Sequence, residues 1–154
     1  MTSNKTFRNP RFVAEEAHGT QKTVAMKFMD EGPKSIMTRI RKGMPYKDVE
    51  SLQKRLGVDK ENFALLLRIS PRTYERRKQD GKLDSEETDR ALRLGRIIER
   101  AIEMYEGNQV AAKAWLRQTS PALEGLTPLE LIGTEAGTVL VENLIGRIEA
   151  GVFS

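Results

Sequence analysis

Residues 59–79 read DKENFALLLRISPRTYERRKQ. Asp59 offers a side-chain oxygen to the free N–H groups that open a helix, and Phe63, Leu66 and Leu67 are spaced to turn inward from it. Ser70-Pro71 signals a second start. The serine hydroxyl can accept from first-turn N–H groups, and the missing proline donor costs nothing at the first helical position. That helix runs from Arg72 to about Lys78, and Asp80-Gly81 stops it. Helix, short turn and capped second helix together make the layout of a helix-turn-helix. Arg72, Thr73, Arg76 and Arg77 follow at i, i+1, i+4 and i+5, a spacing that predicts one shared helical face. Arginine can read guanine in the major groove, and threonine can meet a phosphate or a thymine methyl. Lys78 and Arg68 are expected toward flanking phosphates, and Tyr74 and Ile69 toward the core. The plain alternative is a solvated basic helix, but the lone Glu75 neutralises little of it.

Working outward, a helix over 35–42 carries Ile36, Met37 and Ile40 and closes at Gly43. Another over 46–56 carries Val49, Leu52 and Leu56 and closes at Gly57. Upstream, residues 1–33 are weakly patterned and read as a mobile or partly helical arm. Val24, Ala25, Phe28 and Met29 suggest a short helical face there, and Asp30-Glu31-Gly32-Pro33 reads as a break. Downstream, Asp84-Ser85-Glu86-Glu87 is a capping box. It opens a long helix with a stripe of Ala91, Leu94, Ile98, Ala101 and Tyr105, ending at Gly107-Asn108. A short helix over 109–118 carries Trp115, read as a core anchor. A loop follows over 120–125. Thr127-Pro128-Leu129-Glu130 is another capped start, and a last helix over 134–150 places Leu140, Val141, Leu144, Ile145 and Ile148 on one face. No period-2 alternation appears, so the fold is expected to be all-α. The expected units are the arm (1–33), the helix-turn-helix module (34–83), a connecting helix (84–108) and a small C-terminal helical domain (109–154).

Composition removes several functions. The 154 residues contain no cysteine and one histidine. Disulfides, thiolate metal sites, cysteine nucleophiles and multi-histidine metal sites are therefore excluded. His18 sits in the arm with no second ligand beside it, so no metal or catalytic role is expected. No acidic pair converges for acid–base work, and Gly133-Thr134-Glu135-Ala136-Gly137 lacks the lysine of a phosphate loop. No apolar run is long enough to span a bilayer, so a cytoplasmic protein without membrane contact is expected. No catalytic residue, metal or cofactor is assigned.

Charge is divided unevenly along the chain. Residues 1–83 hold 19 Lys/Arg and 10 Asp/Glu, a balance of +9; residues 84–154 hold 7 and 12, a balance of −5. A basic half joined to an acidic half suggests two different partners, with DNA suited to the basic one. The sequence closes on Gly151-Val152-Phe153-Ser154, an apolar pair directly after a helix end. Such a pair either folds back on its own domain or enters a partner's pocket.

Several separated segments resemble one known family, the antitoxins of the Xre/MbcA/ParS type. They are Ser70-Pro71-Arg72-Thr73-Tyr74-Glu75-Arg76-Arg77-Lys78, Gly81-Lys82-Leu83-Asp84-Ser85-Glu86-Glu87 and Ala114-Trp115-Leu116. Ala122-Leu123-Glu124-Gly125-Leu126-Thr127-Pro128-Leu129-Glu130-Leu131 and Thr134-Glu135-Ala136-Gly137 follow. The match closes on Val141-Glu142, Leu144-Ile145-Gly146-Arg147-Ile148-Glu149 and Gly151-Val152-Phe153-Ser154. The resemblance covers about residues 40–154.

It implies an Xre-like helix-turn-helix bundle joined by a long helix to a toxin-binding domain. It also implies a partner toxin of the RES type, which consumes NAD or modifies proteins with its ADP-ribose. The C-terminal domain would bind that toxin and obstruct its NAD pocket. The N-terminal module would dimerise and bind operator DNA of its own operon. Carried over, the toxin-facing residues are Glu142, Arg147, Glu149, Val152, Phe153 and Ser154; the DNA-facing ones are Arg72, Thr73, Arg76, Arg77 and Lys78. A basic mouth on a toxin that binds an anionic dinucleotide would suit the acidic half. The other reading of the same residues is a stand-alone transcription regulator with a dimerising or sensing C-terminal domain.

Overall fold

The computed structural model describes residues 31–151. The expected helix near 24–29, His18, and the tail residues Val152, Phe153 and Ser154 lie outside the described residues. Among the described residues eight α-helices follow in order: α1 Pro33–Lys42, α2 Tyr46–Leu56, α3 Lys60–Leu66, α4 Pro71–Asp80, α5 Ser85–Met104, α6 Gln109–Leu116, α7 Pro128–Leu131 and α8 Glu135–Glu149. A 3-10 turn, Pro121–Leu123, precedes α7. No strand forms among the described residues, so the all-α expectation holds.

The starts follow their chemistry. The side chains of Asp59, Ser70, Asp84, Asn108, Thr127 and Thr134 each accept from a backbone N–H in the first turn of the helix that follows. Both reciprocal capping boxes form, Asp84 with Glu87 and Thr127 with Glu130. The amide hydrogen bond that Thr127 donates to Glu130 also holds that carboxyl below the usual carboxylate range. One expectation changes. Gly32-Pro33, read as a break, is the entry to α1, with Gly32 as N-cap and Pro33 in the first turn. A proline that ends one segment is equally suited to begin the next.

The long helix α5 is the centre of the molecule and packs against α1, α2, α6 and α8. Because α2 also touches α6, a single hydrophobic cluster runs from Met44 through Phe63, Tyr74, Leu94 and Trp115 to Ile145. The two links that bracket the helix-turn-helix are strapped together. Leu83 N–H donates to the Met44 carbonyl (3.0 Å) and Tyr46 N–H to the Gly81 carbonyl (2.9 Å). Met44 N–H donates to the buried Thr88 hydroxyl (2.9 Å). Gly43 permits this approach: its φ is +86°, and a Cβ there would stand 2.1 Å from the Leu83 carbonyl oxygen.

Candidate functional site

Helix α4 is fixed from one side. Tyr74 is 1% exposed. Its ring meets Phe63 edge-on at 5.7 Å and Tyr46 at 5.7 Å, and its hydroxyl donates to Gln53 Oε1 at 3.0 Å. Burial, with the Tyr46 hydroxyl beside it, pushes the Tyr74 phenol well above its ordinary pKa. At about 100° per residue, positions 72 and 76 point roughly opposite position 74. Accordingly Arg72 and Arg76 are exposed, as is Lys78, and none of the three has a hydrogen-bond or ion-pair partner among the described residues. Thr73 is half-buried; its amide donates to Ser70 Oγ and its hydroxyl accepts from Ser70, both at 3.0 Å. Glu75 pairs with Lys60 of α3 at 3.5 Å rather than with an arginine of its own helix.

Arg77 departs from the expected shared face. Its guanidinium turns inward to Glu87 of α5, donating from Nε to Oε2 at 2.7 Å and from Nη2 to Oε1 at 2.9 Å. Asp80 (3.1 Å) and Asp84 (3.3 Å) complete the cluster. The Glu87 hydrogen bonds, against an opposing cost of burial, hold its pKa above that of a free guanidinium. The physical reason is angular: position 77 lies closer to Tyr74 than to Arg72 around the helix, and Glu87 waits there. Thus 72, 73 and 76 share an outer surface, and 77 does not.

Helix α8 presents the second surface. Val141, Leu144 and Ile145 are buried against the core. Leu140, expected on that face, is instead 52% exposed, beside Val139 at 46%. A further stripe of Ala136, Val139, Leu140, Asn143, Arg147 and Ala150 recurs at helical spacing, with Arg147 half-buried and the rest exposed. The acidic residues flanking it are tied to α5: Glu135 to Arg93 (3.2 Å), Glu142 to Arg96 (2.6 Å) and Glu149 to Arg100 (3.1 Å). Arg147 has no ion pair among the described residues. The sequence points to Glu142, Arg147 and Glu149 here and places Leu140 on the inward face; it gives no separate sign of the exposed pair Val139 and Leu140. The stronger run of leucine and isoleucine masks the second stripe. No group of three or more acidic or histidine side chains among the described residues could hold a metal ion.

Two family models match in tandem. Residues 35–96 match the antitoxin Xre-like helix-turn-helix domain, and residues 100–151 match the antitoxin Xre/MbcA/ParS C-terminal toxin-binding domain. An Antitoxin Xre of Photorhabdus laumondii is 31% identical over 116 residues, covering 75% of this chain and 78% of the relative. The chain belongs to the Xre antitoxins. An Antitoxin Xre of Yersinia enterocolitica is 29% identical, covering 77% of this chain and 81% of its own. A Sphingobium protein named Prs ADP-ribosylating antitoxin is 26% identical, over 75% and 78%. The protein is therefore an antitoxin of a toxin–antitoxin system, with α8 inside its toxin-binding domain and α4 inside its helix-turn-helix domain. Among the described residues, no helix is long and apolar enough to cross a membrane.

Proposed function

We propose that this antitoxin neutralises a RES-type, NAD-consuming toxin by covering the mouth of its active site, and that it also represses its own operon. The observation that carries the first part is the exposed pair Val139 and Leu140 within the toxin-binding domain, bordered by Glu142 and Glu149. Apolar side chains left in water suit a partner with an apolar contact. Glu142 and Glu149, paired with Arg96 and Arg100 in the free chain, can exchange those partners for cations at the rim of a pocket that accepts an anionic dinucleotide. The Sphingobium relative's name points to ADP-ribosylation, a chemistry that draws on NAD. Glu142, Arg147 and Glu149 line the approach, and Val152, Phe153 and Ser154 enter the pocket.

For the second part, Arg72, Thr73, Arg76 and Lys78 meet operator DNA, and the helix-turn-helix module dimerises. The support is the pair of exposed, unpaired cations Arg72 and Arg76 on the outer surface of α4, with Lys78 exposed and unpaired on another side of the helix. Co-expression tests both roles. The neighbouring toxin gene is induced with the intact antitoxin, or with a version lacking residues 152–154, while growth and cellular NAD are followed. Rescue by the intact chain alone supports the tail-in-pocket mechanism. Rescue by both versions retires it, and a neighbour that arrests growth with cellular NAD untouched and no protein ADP-ribosylated retires the RES assignment. In parallel, Arg72→Ala and Arg76→Ala should each weaken binding to the DNA upstream of the gene without affecting rescue.

A further inference from the structure

We propose that Arg77 and Arg90 are positioning residues for DNA recognition, through which the start of α5 sets the orientation of α4. The proposal rests on the DNA-binding reading above. Two tethers leave successive turns of α5. Glu87, 3% exposed, takes both Arg77 hydrogen bonds at 2.7 and 2.9 Å. Arg90, three residues on, donates from Nη1 to the Leu67 carbonyl at 3.2 Å, at the turn that precedes α4. One tether grips the body of the recognition helix and the other its point of entry. Between them Arg68 holds a left-handed backbone (φ 59°), a conformation unfavourable for a residue with a Cβ.

A helix ten residues long needs more than one buried side chain to fix its rotation, and Tyr74 is the one buried residue of α4. A two-point, planar Arg–carboxylate contact supplies the missing constraint, because it resists both rolling and sliding. Glu87 is held in turn by the Asp84 amide at 3.0 Å, so the anchor is itself anchored. A guanidinium spent in this way reads no base and neutralises no phosphate. It acts through where it puts Arg72 and Arg76.

The test separates contact from positioning by salt dependence. A labelled duplex of the DNA upstream of the gene is titrated with the full chain at a series of KCl concentrations. The variants are Arg77→Gln, Glu87→Gln, the double variant, Arg90→Gln, and Arg72→Ala and Arg76→Ala. Glu87 is buried and acidic, so it has no direct DNA contact to lose. The expected result is at least a fivefold loss of affinity in Glu87→Gln, Arg77→Gln and Arg90→Gln, with the slope of log K against log salt unchanged. The Arg77→Gln/Glu87→Gln double variant should bind no worse than either single variant. Arg72→Ala and Arg76→Ala should each lower the slope by about one. Loss of about one unit of slope in Arg77→Gln, with wild-type affinity in Glu87→Gln, would make Arg77 a direct contact and overturn the proposal. If Arg72→Ala and Arg76→Ala also leave affinity unchanged, the DNA-binding reading fails and takes the clamp with it. Rescue from the toxin by each variant shows that it has folded. If Arg77→Gln does not fold, the slope and affinity of Glu87→Gln decide.

Discussion

Gly137 rests directly on the carbonyl of Leu131: a Cβ at 137 would stand 1.9 Å from that oxygen. The short α7 and the first turn of α8 are locked at this point. The capping hydroxyl of Thr134, which accepts from Gly137 N–H at 3.0 Å, sits in the same corner. Alanine at 137 must push α8 away from α7. Gly137→Ala is expected to destabilise by about 1–3 kcal/mol, the usual range for overpacking. Urea denaturation would measure it, and an unchanged midpoint would show that the corner opens freely.

Leu140 supplies the converse case. Its side chain is half in water, so Leu140→Asp should shift stability by no more than about 0.5 kcal/mol. Toxin capture should nevertheless fall at least about tenfold, the loss expected when a central apolar contact is replaced by a charge. Pull-down of the toxin alongside a thermal melt separates the two effects. Equal capture by Leu140→Asp and wild type would remove this face from the interface.

Burial pushes the Tyr105 phenol up to about 12 and drives Tyr74 higher still. In the unfolded chain both would ionise near 10. A raised folded-state value means that folding favours the protonated phenol. The resulting stability is whole below about pH 10 and drains away as pH climbs from there through about 12. Denaturation midpoints between pH 9 and 12 should fall accordingly, and Tyr105→Phe should flatten part of the fall. Phenolate absorbance would report Tyr105 ionising well after a free tyrosine.

Thr88 is fully buried, and its hydroxyl receives the Met44 amide. Thr88→Val keeps the shape and strands that N–H. The expected cost is about 1–3 kcal/mol, the range for an unsatisfied buried donor. Thr88→Ser retains the acceptor and should recover most of the loss, which a chemical denaturation series would reveal.

Local chemistry made most of the fold legible. Asp59, Ser70, Asp84 and Thr127 announce helix starts within a few residues of themselves, and all four cap as their sequences imply. Partners distant along the chain were not legible. Helical spacing gives the angle of Arg77 but says nothing of what stands at that angle, and Glu87 reads locally as nothing more than half of a capping box. Likewise, nothing local links Arg55 with Glu99, 44 residues away, or Arg96 with Glu142, 46 residues away. Leu140 failed for a related reason. It borders an apolar run, and only the placement of α5 decides which edge of that run is covered. The helices that carry the two candidate surfaces, α4 and α8, were thus legible in the sequence, but their outward members could be sorted only once the neighbouring helix was in place.

The join between α2 and α6 bears on how such proteins can be recombined. Gly57 ends α2 directly beneath Lys113 of α6 and its C-cap Arg117; a Cβ there would come within 3.2 Å of the Lys113 side chain and 3.3 Å of the Arg117 guanidinium. The front and back of the chain are thus fitted to each other as well as tethered in sequence. A hybrid that grafts one antitoxin's rear half onto another's front half inherits a mismatched seam unless Gly57, Lys113 and Arg117 travel as a set. Exchanging the front or the back of the chain therefore calls for carrying both sides of this seam across together.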